Sequence, residues 1–166
     1  HVASAKEQKA DLVVLPEYFD LGFDLDVIAK QTDPWPSPTF ETMQKMAAEH
    51  QVGLVFGTSQ RVYDELYNVA VAVDDQGELL AVYRQTHLFP GSPDNEEVVF
   101  SPGDHLVHFD FRGVKVGLSI CFDLRFGAVF QEYARLGVQL MLLPTAFPYA
   151  RMDQFDVLTR ARAIEN

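Results

Sequence analysis

The 166-residue sequence predicts a layered α/β fold. Apolar runs of strand length alternate with segments whose apolar residues recur at helical spacing, and residues 114–143 read strand, helix, strand in direct succession. Residues 1–10 read as the last turns of a helix, with Val2 and Ala5 on one side, running into a strand at Asp11. That strand run, Asp11 to Phe19, is broken at Pro16, which delivers Glu17 to a strand tip. Ser37 followed by Pro38 is an N-cap with proline at the first helical position, and Phe40, Met43, Met46 and Ala47 then recur on one face. Such a helix should cover a sheet. Gly53–Val62, Tyr67–Val73 and Glu78–Arg84 form three strands of an antiparallel meander, with a turn at 74–77. Residues 90–105, rich in proline, glycine and acids, are a long loop of the kind that carries function. Leu106–Asp110 and Val114–Ile120 pair as a hairpin around Arg112-Gly113. Phe126, Val129, Phe130, Tyr133 and Leu136 have helical spacing, and Gly137 ends that helix before a strand over Val138–Leu143. A final helix over Asp153–Glu165 should pack through Phe155, Leu158, Ala161 and Ile164. No repeat, low-complexity segment or linker divides the chain, so 1–166 is a single domain.

Composition bounds the function. With 48% hydrophobic residues the chain can bury a core, and a net charge of −11 with a pI near 4.7 disfavours nucleic-acid partners, which need clustered Lys and Arg. The acidity reads as solubility. No apolar run approaches the roughly 18 residues of a membrane span, and the N-terminal stretch is not a signal peptide, so a soluble, cytoplasmic protein is expected. One cysteine and five scattered histidines make no zinc spacing, and no glycine-rich loop offers a phosphate cradle, so no cofactor is expected and a flavodoxin-like nucleotide binder is disfavoured.

Chemistry concentrates at strand ends. The run Val114 to Ile120 stops abruptly at Cys121, the chain's only cysteine, and a helix-like pattern follows. A strand end fixes a thiol in place, which suits a nucleophile, although an isolated cysteine after a strand is also the signature of a small core residue. Glu17 stands at a second strand end, and Tyr83-Arg84-Gln85-Thr86-His87-Leu88-Phe89 closes a third before the long loop.

Taken in order with Ala161-Arg162-Ala163-Ile164-Glu165-Asn166, these segments resemble the nitrilase, or carbon-nitrogen hydrolase, superfamily over nearly the whole chain. The resemblance implies a four-layer α-β-β-α sandwich. Because members of that superfamily carry further strands on both sides, it also implies a domain incomplete at both ends. Cys121-Phe122-Asp123-Leu124-Arg125-Phe126 and Thr145-Ala146-Phe147 look most like the Nit-type branch, which includes ω-amidases, although Gly127 and Gln154-Phe155 depart from its pattern.

The resemblance implies roles residue by residue. Cys121 matches the nucleophile, Glu17 the general base, and the backbone N–H of Phe122 an oxyanion donor. The superfamily's oxyanion-stabilising lysine position is Gln85, a neutral donor. Glu96 matches a second glutamate by spacing, with Glu97 as the adjacent alternative. Arg84, next to Gln85 on a strand, should face the other way. Arg125 is a candidate for compensating cation, substrate-carboxylate ligand or structural ion pair. His87 is expected to hold a structural hydrogen bond, and Asp123 suits a capping or loop-ordering role. The implied activity is hydrolysis of a small linear amide through a cysteine thioester, weakened by Gln85. The alternative is a catalytically inactive binding or interaction module on the same fold. Homo-oligomers are common in the superfamily, so a homo-oligomer is expected.

Overall fold

The computed structural model describes residues 1–166 and contains two sheets, each faced by helices. The first half supplies α1 (Val2–Glu7), β1 (Leu12–Val14), α2 (Leu25–Gln31), α3 (Pro38–His50), β2 (Gly53–Val62), β3 (Glu65–Val73) and β4 (Leu79–Arg84). After a loop that contains a single 3₁₀ turn at Glu96–Val98 come β5 (His108–Phe111), β6 (Val114–Leu118), α4 (Gly127–Arg135), β7 (Leu140–Leu142) and α5 (Met152–Glu165). One sheet has the order β1-β2-β3-β4 and the other β5-β6-β7; β1–β2 and β6–β7 are parallel, and the remaining pairs antiparallel.

Local chemistry explains the boundaries. The Ser37 hydroxyl accepts from the Phe40 N–H at 3.2 Å, with Pro38 opening α3 where no hydrogen-bond donor is required. The turn between β3 and β4 closes through Gly77, whose N–H reaches the Asp74 carbonyl at 3.1 Å and whose φ of 81° suits glycine. Arg112 and Gly113 both have positive φ, 51° and 82°, as a tight two-residue hairpin turn requires.

Alternation along β2 and β3 builds the layers. Leu54, Phe56, Val69, Val71 and Val73 meet Phe40, Met43 and Ala47 of α3 together with Val2 of α1. The opposite faces, Val55, Ala70 and Ala72, join Ala81 and Tyr83 of β4 and pack on Phe109, Val116 and Leu118 of the second sheet. Behind that sheet, Val129, Phe130 and Tyr133 of α4 and Phe155 and Leu158 of α5 cover Met141 and Val138. The order is therefore helix, sheet, sheet, helix, an α-β-β-α sandwich. Each fully buried aliphatic side chain in it contributes about 1.5–3 kcal/mol.

Two expectations need correction. Ile164 is not on the packed face of α5; it is 83% exposed. At 3.6 residues per turn, nine residues from Phe155 is two and a half turns, which carries Ile164 to the far side. Arg162 takes the inner position instead, donating from Nε to the Leu124 carbonyl at 3.1 Å and from Nη2 to the Arg125 carbonyl at 3.3 Å. The second correction is α2, a helix that the apolar spacing did not signal. Asp24 caps it by accepting from the Val27 N–H at 3.0 Å, and only Ile28 of its residues is buried. The strands at both ends of the chain, β1 and β7, are also shorter than the apolar runs that announce them.

Candidate active site

Glu17 follows β1 by three residues, Gln85 follows β4 directly, and Cys121 follows β6 by three. The stacked sheets bring these strand ends together. Two of them are sharp corners in the left-handed region: Tyr18, right after Glu17, has φ 50°, and Cys121 has φ 37°. For non-glycine residues this conformation costs about 1–2 kcal/mol and concentrates where a side chain must be aimed.

The corner at Glu17 depends on Gly57 of β2. A Cβ there would lie 2.5 Å from Glu17 Cα and 2.9 Å from the Pro16 carbonyl oxygen. The Gly57 N–H donates to that carbonyl at 3.2 Å, and the Gly57 carbonyl accepts from the Phe19 N–H at 3.1 Å. Gly57→Ala should push the Glu17 corner off its seat. We expect a loss of about 1–3 kcal/mol in urea unfolding, together with slowed alkylation of Cys121.

Within the site Glu17 is buried, and its carboxyl accepts from the Ala146 N–H at 2.8 Å and from Asn68 Nδ2 at 2.8 Å. Burial, reinforced by the charge of Glu96, pushes its pKa up to about 8. The Cys121 thiol is raised as well, first by burial and then by the charge of Glu17 beside it. Thiol and carboxyl therefore share a proton-rich resting state at neutral pH.

Glu96, not Glu97, enters the site: Glu96 is 2% exposed, whereas Glu97 lies on the surface. Its carboxyl accepts from Tyr18 Oη at 2.7 Å and from the Phe89 N–H at 2.8 Å, and burial raises its pKa too. Gln85 is equally buried. Its side-chain carbonyl accepts from Asn68 Nδ2 at 2.8 Å, while its own Nε2 has no partner within the protein. No lysine or arginine hydrogen-bonds to either glutamate.

Arg84 points away, as strand alternation requires: its Nε donates to Gln60 Oε1 at 2.9 Å and its guanidinium lies 3.7 Å from the centre of the Tyr67 ring. Cys121, Glu96, Phe122 and Arg125 border one cleft of about 260 Å³, joined by Phe147 and Arg151. Arg125 donates to Gln154 Oε1 at 2.9 Å and sits over the rings of Phe122 and Phe147. Behind Cys121, Asp123 is fully buried and accepts from the Ile120 N–H (3.0 Å), Tyr83 Oη (2.8 Å), the His87 N–H (3.0 Å) and Thr86 Oγ1 (3.1 Å). His87 Nδ1 approaches the same carboxyl at 3.0 Å, and its ring stacks on Phe126.

Sequence reasoning missed Asn68, Tyr18, Ala146 and Arg151. Asn68 carried a usable signal: it falls on the inward face of an otherwise apolar strand, where a polar side chain needs a polar partner. The contacts of Tyr18 and Ala146 depend on loop conformation and have no local signature.

The carbon-nitrogen hydrolase family model matches residues 1–166. The chain is 33% identical over 172 residues to omega-amidase NIT2 of Mus musculus, a match spanning 99% of this chain and 62% of that protein. It is 32% identical over 163 residues to the 2-oxoglutaramate amidase of Bacillus subtilis, again covering 62% of the relative. Among solved structures, a mutant amidase from Nesterenkonia sp., with acrylamide added to its active-site cysteine, superposes with a TM-score of 0.91 at 27% identity, over 99% of this chain and 65% of that one. The chain thus spans less than two thirds of the length of these relatives.

Proposed function

Because the chain belongs to the carbon-nitrogen hydrolase family, we propose that its strand-end cluster hydrolyses a small linear amide through a thioester on Cys121. The observation that carries this reading is the pairing of the buried Glu17 with the Cys121 thiol at the foot of a substrate-sized cleft. Glu17 takes the thiol proton as sulfur attacks the amide carbonyl, then passes it to the departing amine. Water next attacks the thioester while Glu17 takes its proton, and Glu17 returns that proton to the departing thiolate, releasing the carboxylic acid and the free thiol. Charge developing on the carbonyl oxygen is met by the Phe122 N–H and by Gln85 Nε2, a buried donor without a partner in the protein.

Arg125 and Arg151 border the same cleft among Phe89, Phe122 and Phe147, which suits a short chain with a carboxylate at the end remote from the amide. Relatives named omega-amidase and 2-oxoglutaramate amidase support that class. We expect Arg151→Ala to raise KM for such monoamides about 10-fold or more with kcat little changed, and to leave neutral amides of equal length unaffected. Steady-state kinetics on the two substrate sets checks this.

The deciding experiment is ammonia release from a panel of ω-monoamides and neutral amides, with Cys121→Ala as control. Turnover that Cys121→Ala abolishes supports the amidase. A second reading, a binding module that has lost hydrolysis, draws on the absence of a cation between Glu17 and Glu96; no turnover by the parent, restored in Gln85→Lys, would favour it.

A further inference from the structure

We propose that Asn68 is the positioning residue of this site, a single amide that ties the base Glu17, the neutral donor Gln85 and Glu96 into one unit in place of a cation. The inference rests on the reading of Cys121 as nucleophile and Glu17 as base.

Geometry carries the argument. Asn68 is fully buried in the middle of β3, on the face shared with Ala70 and Ala72. Its Nδ2 lies 2.8 Å from Glu17 Oε1, 2.8 Å from Gln85 Oε1 and 3.3 Å from Glu96 Oε1. An amide nitrogen has two protons, so these three acceptors compete for them, and all three groups converge on one point. The backbone makes a further tie, because the Asn68 carbonyl accepts from the Gln85 N–H at 2.9 Å. No other side chain hydrogen-bonds to all three. Two carboxyls this near one another repel when both are ionised, and a donor shared between them eases the ionisation of either. Asn68 therefore does more than fill space: its N–H favours the ionised form of Glu17, the form that can accept the thiol proton.

Cys121 is the sole cysteine, so alkylation by iodoacetamide, followed by mass, reports on this thiol alone and needs no turnover. In the parent the alkylation rate should climb through the titration of Glu17. Removing the amide should move that rise upward by about one pH unit, so that Asn68→Ala reacts roughly tenfold more slowly at pH 7 and converges with the parent near pH 10. Asn68→Asp, nearly identical in size, replaces two amide protons by at most one carboxyl proton and adds a third carboxyl to the cluster; it should shift the rise in the same direction, and it serves if Asn68→Ala fails to fold. A residue that merely packed would slow alkylation equally at every pH. An unmoved profile in Asn68→Asp, or uniform slowing, overturns the proposal. Glu17→Gln separates the two levels: if it leaves the parent profile unchanged, Glu17 is not the base and the underlying reading fails; if it abolishes the rise while both Asn68 variants keep it in place, only the role of Asn68 is lost.

Discussion

Gln85→Lys is expected to raise kcat/KM for amide hydrolysis at pH 7 by about ten- to a hundredfold. One oxyanion donor is worth about 10²–10³ in rate, and the neutral amide of Gln85 already supplies part of that. The second component is electrostatic. An ammonium at position 85 would stand beside Glu17 and Glu96, both now raised by burial, and Glu17 further by the charge of Glu96, with no cation between them. Opposite charge favours the ionised carboxylate, so the acidic limb of the pH–rate profile should move down from about 8, where the parent begins to plateau, towards neutrality. Below its limb each enzyme should lose tenfold per pH unit, as a single deprotonation requires. The gain from lysine should therefore be largest at pH 6–7 and shrink above pH 9. Steady-state rates of both proteins from pH 5.5 to 10 test this; a gain that does not vary with pH would leave the donor effect and remove the electrostatic one.

Glu17→Gln should abolish turnover and at the same time stabilise the fold at alkaline pH. General acid–base help of this kind contributes about 10²–10⁴-fold, and glutamine cannot accept the thiol proton. The stability effect has the opposite sign. The pKa of Glu17 is near 4.5 in the unfolded chain and about 8 in the folded one, so folding favours the protonated form. Its contribution is intact below pH 4.5, erodes by about 1.4 kcal/mol per pH unit between the two values, and stops changing above 8. Glutamine mimics the protonated carboxyl at every pH. Urea unfolding should show Glu17→Gln matching the parent near pH 4 and exceeding it at pH 8–9, whereas a parent stability that is flat across that range would contradict the buried, raised carboxyl.

Much of this arrangement is legible in the amino-acid sequence. Strand and turn signals around 53–84 placed the meander because both faces of β2 and β3 are buried, leaving long apolar runs between clear breaks. Pro16, the Arg84–Gln85 junction and the halt at Cys121 marked the strand ends that meet in the site. Glu96 could be separated from Glu97 only by spacing within a resembled motif; of the two, Glu96 is the buried one. What remained hidden was of two kinds. α2 depends on a single capping aspartate and one buried isoleucine, too little periodicity to register. The hydrogen bonds of Tyr18, Asn68 and Ala146 join residues 78, 51 and 129 positions apart in sequence, and no local pattern predicts which strand end will lie across from which. Ile164 failed for a simpler reason: apolar character was read as inward-facing, when helical phase puts it outside.

The Asp123 carboxyl joins the corner after β6, through Ile120, to the segment after β4, through Thr86 and His87. Cys121 and Gln85 thus hang from one bracket and cannot drift apart independently. Across the cleft, Tyr149–Arg151 is one 3₁₀ turn preceded by Pro148, with Tyr149 93% exposed. The protein is consequently divided into a chassis that resists alteration and a rim open to it. Mutational libraries should find tolerated diversity at 148–151 and almost none at the bracket, so what enters the cleft can be altered by exchanging its doorway while the strand-end cluster stays in place.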